Sequence, residues 1–332
     1  MIVNAVMIQD IIGQMVSPPI LFFALGVMAA MVKSDLKIPD AAGSILSVII
    51  LASIGLRAGV AVNQVGISNV ILPAIAAIVL GVLIVLLVFN LLKRLTNIDS
   101  ANAASIAGHY GAVSSVTLAV SILFLDNMQS FYEPFVPALY PFMDTAALLT
   151  AVVLSRMGTG KKSLEQQVSY GHLIKETVVS KGPLLLLGCF IIGLINGDTG
   201  TIRVMPLFDV LFPGLLAIFM LDVGLIAGAR LPQLLTVDKK VFIIGLLLPP
   251  LQGIVGVLLA TLIGLSPGGA TIFAAIAAGA SYISAPAVMR AAVPEANPSL
   301  SLAMALGLAF PFNVTLGIPL YYQVAIMVES FI

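Results

Sequence analysis

The sequence predicts an all-α integral membrane protein with ten transmembrane helices, arranged as a 5+5 inverted repeat. Three observations lead to this prediction. Apolar residues make up 60% of the 332 side chains and charged residues only 9%, whereas a soluble domain has roughly 45–50% apolar and about 25% charged residues. Long apolar runs recur along the whole chain, and two short glycine motifs recur at nearly the same spacing.

Ten apolar runs are long enough to cross a bilayer, which takes about 20 mostly apolar residues. A closed β-barrel, the other structure that can span lipid, would instead need short strands of alternating polarity. The sequence therefore predicts ten helical spans, and their ends are uncertain by a few residues. In chain order the spans are Ile11–Val32, Pro39–Arg57, Ile67–Leu92, Asn102–Leu125, Phe135–Arg156, Val178–Asn196, Leu207–Ala229, Val241–Leu265, Ala270–Arg290 and Leu300–Met327.

The distribution of Lys and Arg predicts the orientation. An even number of spans, ten, places both termini on one side of the membrane. Of the 15 basic residues, only Arg57 and Arg203 fall on that side, and the other 13 fall on the opposite side. Basic residues mark the cytoplasmic side. We therefore expect a multi-pass protein of the plasma (inner) membrane with both termini extracytoplasmic. A first five-helix repeat would occupy 1–156, a cytoplasmic linker 157–177, and a second repeat 178–332.

Charge and composition exclude several other classes. The 15 basic and 15 acidic residues balance, and no basic tract occurs, so nucleic acid is not expected as a partner. The single cysteine, Cys189, rules out a disulfide framework. His109 and His172 are too few and too far apart in the chain for a zinc site.

Two motifs indicate an internal repeat. The pattern Gly-Leu-x-Ala-Gly occurs at 55–59 and again at 224–228, 169 positions later, while a Gly-Ala-Ser-rich stretch at 111–115 recurs at 279–284, 168 positions later. Because each copy contains five spans, an odd number, the second copy must enter the membrane from the opposite face. Carriers built from inverted repeats place their sites near the midplane, at discontinuous helices.

Glycine, serine and proline interrupt the fourth and ninth spans, which we therefore expect to be two broken, crossing helices. The start of each second half-helix would offer free N–H groups and the positive end of a helix dipole, which suit a small anion. Exposed carbonyls on the other halves would suit a small cation such as Na⁺. Hydroxyl groups stand beside both breaks, on Ser114, Ser115, Ser281 and Ser284.

Two aspartates lie inside predicted spans, where an ionisable residue is costly and is interpreted as functional by default. Asp144 is either a cation ligand or a helix cap after Pro141. Asp222 is a cation ligand, a proton carrier, or a residue bonded to a neighbour. Asn313 is expected to bond the backbone loosened at Pro311, with ion ligation as the alternative.

Four stretches resemble the signature sequences of the SbtA-type sodium-dependent bicarbonate transporters: residues 111–117, 138–144, 284–286 and 290–299. The resemblance implies a core domain from helices 3–5 and 8–10 and a gate domain from helices 1, 2, 6 and 7. It also implies a homotrimer, Na⁺-driven uptake of bicarbonate at the crossing of the broken helices, and control by a PII-like regulator on the cytoplasmic face.

The same resemblance assigns site residues. Those carried over as the bicarbonate site are Gly111, Ala112, Ser114, Ser115, Ser284, Ala285 and Pro286. The family carries an aspartate that helps to hold Na⁺ where this chain has Tyr282, so weaker Na⁺ binding is expected unless another carboxylate replaces it. The candidate ligands for the coupling ion Na⁺ are Ser281, Tyr282, Asp144, Asp222 and Asn313.

Three alternatives stay open at this point. A carrier of another small monovalent anion would use the same site. A sodium/proton antiporter needs a titrating carboxylate at the crossing, and Tyr282 counts against it. An intramembrane aspartyl protease could pair Asp144 with Asp222, but the Gly-x-Gly-Asp context expected for such a protease is absent. The sequence therefore favours a transporter and not an enzyme.

Overall fold

The computed structural model describes residues 11–158, 175, 179 and 181–331. These residues form helices and no strand, as the sequence predicted. The helices with their bounds are α1 Pro18–Met31, α2 Asp40–Val65, α3 Ser68–Leu95, α4 Ser100–Gly111, α5 Ser115–Asn127, α6 Tyr140–Gly158, α7 Lys181–Thr201, α8 Phe212–Leu234, α9 Lys239–Leu262, α10 Pro267–Ala278, α11 Ser284–Ala292 and α12 Pro298–Glu329.

Eight helical segments of the described chain are long and apolar enough to cross a membrane. They are α2, α3, α4 joined with α5, α6 with the short turn before it, α7, α8, α9 and α12. The chain is thus an all-α, multi-pass membrane protein. The first and ninth predicted spans correspond to shorter helices, so the count of ten stays a prediction.

Two predicted spans differ most from the helices of the structure. The first span does not run unbroken to Val32, because the helix at residues 11–15 ends and α1 begins anew at Pro18. The second span does not end at Arg57 but continues to Val65. Arg57 stays helical because its charge is paired with acidic side chains rather than left in lipid. Most of the predicted linker, 157–177, lies outside the described residues.

Glycines bring two pairs of helices into backbone contact. A Cβ atom on Gly59 of α2 would lie 2.0 Å from the Phe190 carbonyl oxygen of α7, and one on Gly224 of α8 would lie 2.2 Å from the Phe23 oxygen of α1. Both glycines belong to the repeated motif. Such close approach is the usual role of small residues between membrane helices. The motif thus performs the same packing task in each half of the chain.

We expect Gly59→Ala to destabilise the protein by about 1–3 kcal/mol, because the added methyl group must push two backbones apart. Gly188→Ala on α7 is the matched control, since its Cβ would meet nothing within 4 Å. Thermal unfolding of both variants in detergent micelles tests this. Equal melting temperatures for the two variants would show that the contact between α2 and α7 is not as close as described.

Helix α12 contains two π-helical turns, Ala305–Ala309 and Asn313–Gly317, on either side of Pro311. Proline has no N–H and crowds the preceding turn, so the local widening relieves its clash. The Thr315 hydroxyl donates to the Pro311 carbonyl at 2.6 Å and satisfies an oxygen that the widened helix leaves free. This irregular stretch places Asn313 at the end of α10.

Candidate functional site

Both predicted helix breaks are present. Helix α4 ends at Gly111, Ala112 is extended (φ −83°, ψ 149°), and α5 begins at Ser115. The second break is longer, because residues 279–283 separate α10 from α11. At the first break the Ser114 hydroxyl caps α5 by accepting a hydrogen bond from the Thr117 amide at 3.3 Å. The sequence prediction of two interrupted helices is therefore confirmed at both positions.

The two breaks touch each other. The Ser281 amide donates to the His109 carbonyl, in the last turn of α4, at 2.8 Å. A Cβ atom on Gly279 would lie 2.9 Å from the Ser114 amide nitrogen and 3.3 Å from the Ser114 Cβ. Glycine is thus required at 279 by the close approach of the other chain segment. The N-terminal ends of α5 and α11 consequently face a shared centre.

Asp144 joins the two breaks. Its Oδ1 accepts hydrogen bonds from the Val113 amide at 2.9 Å and from the Ser284 hydroxyl at 3.1 Å. The side chain is fully buried, and its Oδ2 has no hydrogen-bond partner among the described residues. A buried carboxylate whose described partners are an amide and a hydroxyl retains an uncompensated charge. This orphaned oxygen is where a cation can bind.

Hydroxyl groups form a directed chain that ends at this carboxylate. Ser284 donates its proton to Asp144, so it must accept from Ser281, whose Oγ lies 2.7 Å away. Ser281 in turn accepts from the Ala285 amide at 3.2 Å. Each hydroxyl has one proton, so every donor in the chain points towards Asp144. This arrangement favours a carboxylate that acts only as an acceptor.

The remaining predicted anion-site residues mainly shape the crossing. A Cβ on Gly111 would lie 2.4 Å from Val85 of α3, so Gly111 allows close helix packing. The other members of the set are buried near the two breaks. They are Ala112, Ser115, Ala285 and Pro286.

The predicted cation ligands lie at three places. Ser281 and Asp144 lie at the crossing, as described above. Asn313 caps the end of α10, because its Nδ2 donates to the Ala278 carbonyl at 2.7 Å and its Oδ1 accepts from the Tyr321 hydroxyl at 2.7 Å. Tyr282 and Asp222 instead line a cavity beside the crossing.

This inner cavity has a volume of about 310 Å³ and opens on the face where the basic residues lie. Lys181, Arg230 and Arg290 line it together with Asp222 and Tyr282. The Tyr282 ring packs edge-on against Phe310 with centroids 5.8 Å apart. Three basic side chains and residues of the second break therefore line the same cavity.

A comparison with protein families matches residues 18–326 of the chain to the Na⁺-dependent bicarbonate transporter superfamily. The chain belongs to that superfamily. Membership supports a sodium-dependent bicarbonate transporter, and a transporter family is consistent with a chain that is not an enzyme. No curated protein matches the chain.

Sequence reasoning missed several parts of this transporter's site. The Val113 amide and the His109 carbonyl are backbone groups, and no side-chain pattern marks them. The role of Asp144 as the link between both breaks depends on contacts 31 and 140 positions away in the chain. Two signals were present in the sequence: the position of Gly279 within the repeated glycine motif, and the aspartate Asp144 inside an apolar span.

Proposed function

We propose that the protein imports bicarbonate together with Na⁺, and that both bind where the two broken helices cross. The anion lies against the N-terminal ends of α5 and α11, and Na⁺ lies beside Asp144. The observation that carries this proposal is the buried Asp144 carboxylate, which holds both breaks through one oxygen and leaves the other without a partner among the described residues.

Two helix N-termini support anion binding. The first amides of a helix have no intrahelical acceptor, and the dipole end is positive. At α5 these amides belong to Ser115 and Val116, and at α11 the first is that of Ser284. A small planar anion with oxygen atoms on three sides, such as bicarbonate, can accept from both helices at once. The mirrored position of the two helix ends favours a small ligand held between them.

Asp144 supports Na⁺ binding. A hard cation prefers oxygen ligands, and binding strengthens with the charge of those ligands. The Asp144 carboxylate supplies the charge that Tyr282 lacks, and the hydroxyls of Ser281 and Ser284 lie within its hydrogen-bonded chain. Asp144 thereby takes the place of the carboxylate that the family resemblance expects at 282.

The same carboxylate explains how the two substrates are coupled. An ionised Asp144 beside the helix ends repels an arriving anion, and this repulsion is strong in the low dielectric of the interior. Na⁺ neutralises the carboxylate, and the anion then binds to the helix ends without that cost. Because coupling free energies are reciprocal, bound bicarbonate also strengthens Na⁺ binding.

The proposed architecture of the protein is a 5+5 inverted repeat, with the first copy at 1–156 and the second at 178–332. Its gate domain comprises the helices of spans 1, 2, 6 and 7, and its core domain those of spans 3–5 and 8–10. Matching glycine contacts in the pairs α2 with α7 and α8 with α1 support the repeat. The family resemblance extends the proposal to a homotrimer, a PII-like regulator on the cytoplasmic face and extracytoplasmic termini.

Sodium/proton exchange is the second candidate, and one observation favours it. The sequence argument against an antiporter was that the crossing lacks a carboxylate, yet Asp144 lies there. A buried carboxylate that binds Na⁺ and a proton in turn is the group that such exchange requires. Family membership favours bicarbonate uptake, and an assay of Na⁺-driven proton movement without bicarbonate separates the two.

We expect Ser284→Ala to lower bicarbonate uptake by roughly fivefold to thirtyfold, the effect of about 1–2 kcal/mol for a lost hydrogen bond to a charged group. The matched control is Ser121→Ala, because Ser121 is equally buried on α5 but its hydroxyl donates to the Leu118 carbonyl of its own helix. Uptake of labelled bicarbonate into proteoliposomes measures both. Normal uptake by Ser284→Ala would show that the hydrogen bond from Ser284 to Asp144 is not needed for transport.

A further inference from the structure

Arg57 joins three polar side chains at the membrane face opposite the inner cavity. Its Nη2 lies 3.6 Å from Asp126 and donates to the Tyr132 hydroxyl at 3.4 Å, and its Nη1 lies 3.5 Å from Asp209. The Tyr132 hydroxyl in turn donates to Asp126 at 3.0 Å. The Arg57 side chain is only 27% exposed. These four side chains contact one another, and we call them the outer cluster: Arg57, Asp126, Tyr132 and Asp209.

The outer cluster connects two parts of the molecule that transport would have to separate. Arg57 lies on α2 and Asp209 just before α8, both in the proposed gate domain. Asp126 lies at the end of α5 and Tyr132 follows it, both in the proposed core domain. The pair Arg57 with Asp126 therefore crosses the boundary between the domains, whereas the pair Arg57 with Asp209 stays within the gate.

A small outer cavity of about 90 Å³ lies beneath the outer cluster, compared with about 310 Å³ for the inner cavity. Six of the seven residues that line the outer cavity have a counterpart 168 or 169 positions away that lines the inner one. The pairs are Gly43 with Phe212, Ile54 with Val223, Arg57 with Ile226, Ile122 with Arg290, Pro134 with Leu302, and Pro137 with Leu306. The offset is that of the glycine motifs.

By this correspondence, equivalent positions in the two halves of the chain line the two cavities. The outer cavity is small and is bridged by the outer cluster, while the inner cavity is larger. Ile226, the counterpart of Arg57, lines the wide inner cavity and has no charge with which to bridge it. The arrangement is that of a carrier closed on one face and open on the other.

We propose that Arg57 is the outer latch of the transport path: its pairing with Asp126 holds the gate against the core and keeps the outer cavity closed. This inference rests on the proposed transport function and adds the residue that controls outward opening. When the pair separates, the outer cavity widens and the inner cavity narrows. Asp209 pairs with the guanidinium group from within the gate and does not link it to the core.

The test measures access to the outer cavity with a thiol probe. The single native cysteine is first removed by Cys189→Ser, and every test variant carries this substitution. The labelling rate of Ile122→Cys then measures access to the outer cavity. Asn127→Cys, at an exposed position at the end of α5, shows which face of the membrane a membrane-impermeant maleimide reaches. We expect Asp126→Asn to raise the labelling rate of residue 122 about fivefold, the scale of one partly shielded ion pair, and Tyr132→Phe to raise it less.

Asp209→Asn is the matched control. It also removes one negative charge beside Arg57, but it leaves the pair of Arg57 with Asp126 that links the two domains. Its labelling rate should stay within about twofold of the parent. A rate for Asp126→Asn equal to the parent, or an Asp209→Asn rate as high as that of Asp126→Asn, would overturn the latch. The assay needs neither Na⁺ nor bicarbonate, so a protein that labels as expected but does not take up bicarbonate refutes the proposed function and leaves the latch standing.

Discussion

Asp144→Asn is expected to lower Na⁺-driven bicarbonate uptake about a hundredfold or more. The substitution keeps the shape and an oxygen that can accept from Val113 and Ser284, but it removes the negative charge. Losing one charged partner at a buried site typically costs about 3–5 kcal/mol, and about 2.7 kcal/mol already corresponds to a hundredfold change in binding. The measurement is initial uptake as a function of Na⁺ concentration in proteoliposomes.

Asp198→Asn provides the control for this substitution. Asp198 is exposed near the C-terminal end of α7, and its carboxylate accepts a hydrogen bond from the side chain of Gln64 on α2. Its uptake should match the parent. A second readout is the shift in melting temperature between Na⁺ and K⁺ buffers, since an ion that binds only the folded state stabilises it. The parent should show this shift and Asp144→Asn should lose it. An Asp144→Asn protein that retains both the shift and the uptake would exclude Asp144 as the Na⁺ ligand.

Gly279→Ala is expected to abolish most uptake while leaving the fold intact. The added methyl group would lie 2.9 Å from the Ser114 amide nitrogen, so the two breaks must move apart by several tenths of an ångström. Such overpacking costs about 1–3 kcal/mol, and it displaces the helix ends that are proposed to hold the anion. A misplacement of this kind reduces function more than stability.

Gly214→Ala is the matched control, because a Cβ there meets nothing within 4 Å. Initial rates of bicarbonate uptake and the melting temperature are measured for both variants. Gly214→Ala should transport like the parent. Normal transport by Gly279→Ala would mean that the contact between the breaks is absent during the transport cycle.

The sequence predicted the helices well because hydropathy and helix length are local properties. Seven of the long apolar segments begin within a few residues of the predicted position, and the glycine and serine clusters correctly located both breaks. The exceptions have physical causes. The helix continues past Arg57 because distant acids pair with it, and Pro18 restarts a helix that hydropathy alone had read as continuous.

The site was less predictable because its decisive contacts are not local. One partner of Asp144 is a backbone amide in the break between α4 and α5, and the other is the hydroxyl at the start of α11. The outer cluster likewise assembles from three separate segments, and only Arg57 had stood out in the sequence, as one of two basic residues on its face. The repeat offset of 168–169 positions was visible in the sequence, but its meaning for the two cavities requires the fold.

Uptake of labelled bicarbonate into proteoliposomes with and without an inward Na⁺ gradient tests the central claim most directly. The internal and external media are otherwise identical, with K⁺ replacing Na⁺ in the control and Asp144→Asn reconstituted in parallel. The proposed coupling predicts that bicarbonate accumulates above its external concentration only in the parent protein and only with the Na⁺ gradient. Equal bicarbonate uptake by the parent in Na⁺ and in K⁺ would contradict it.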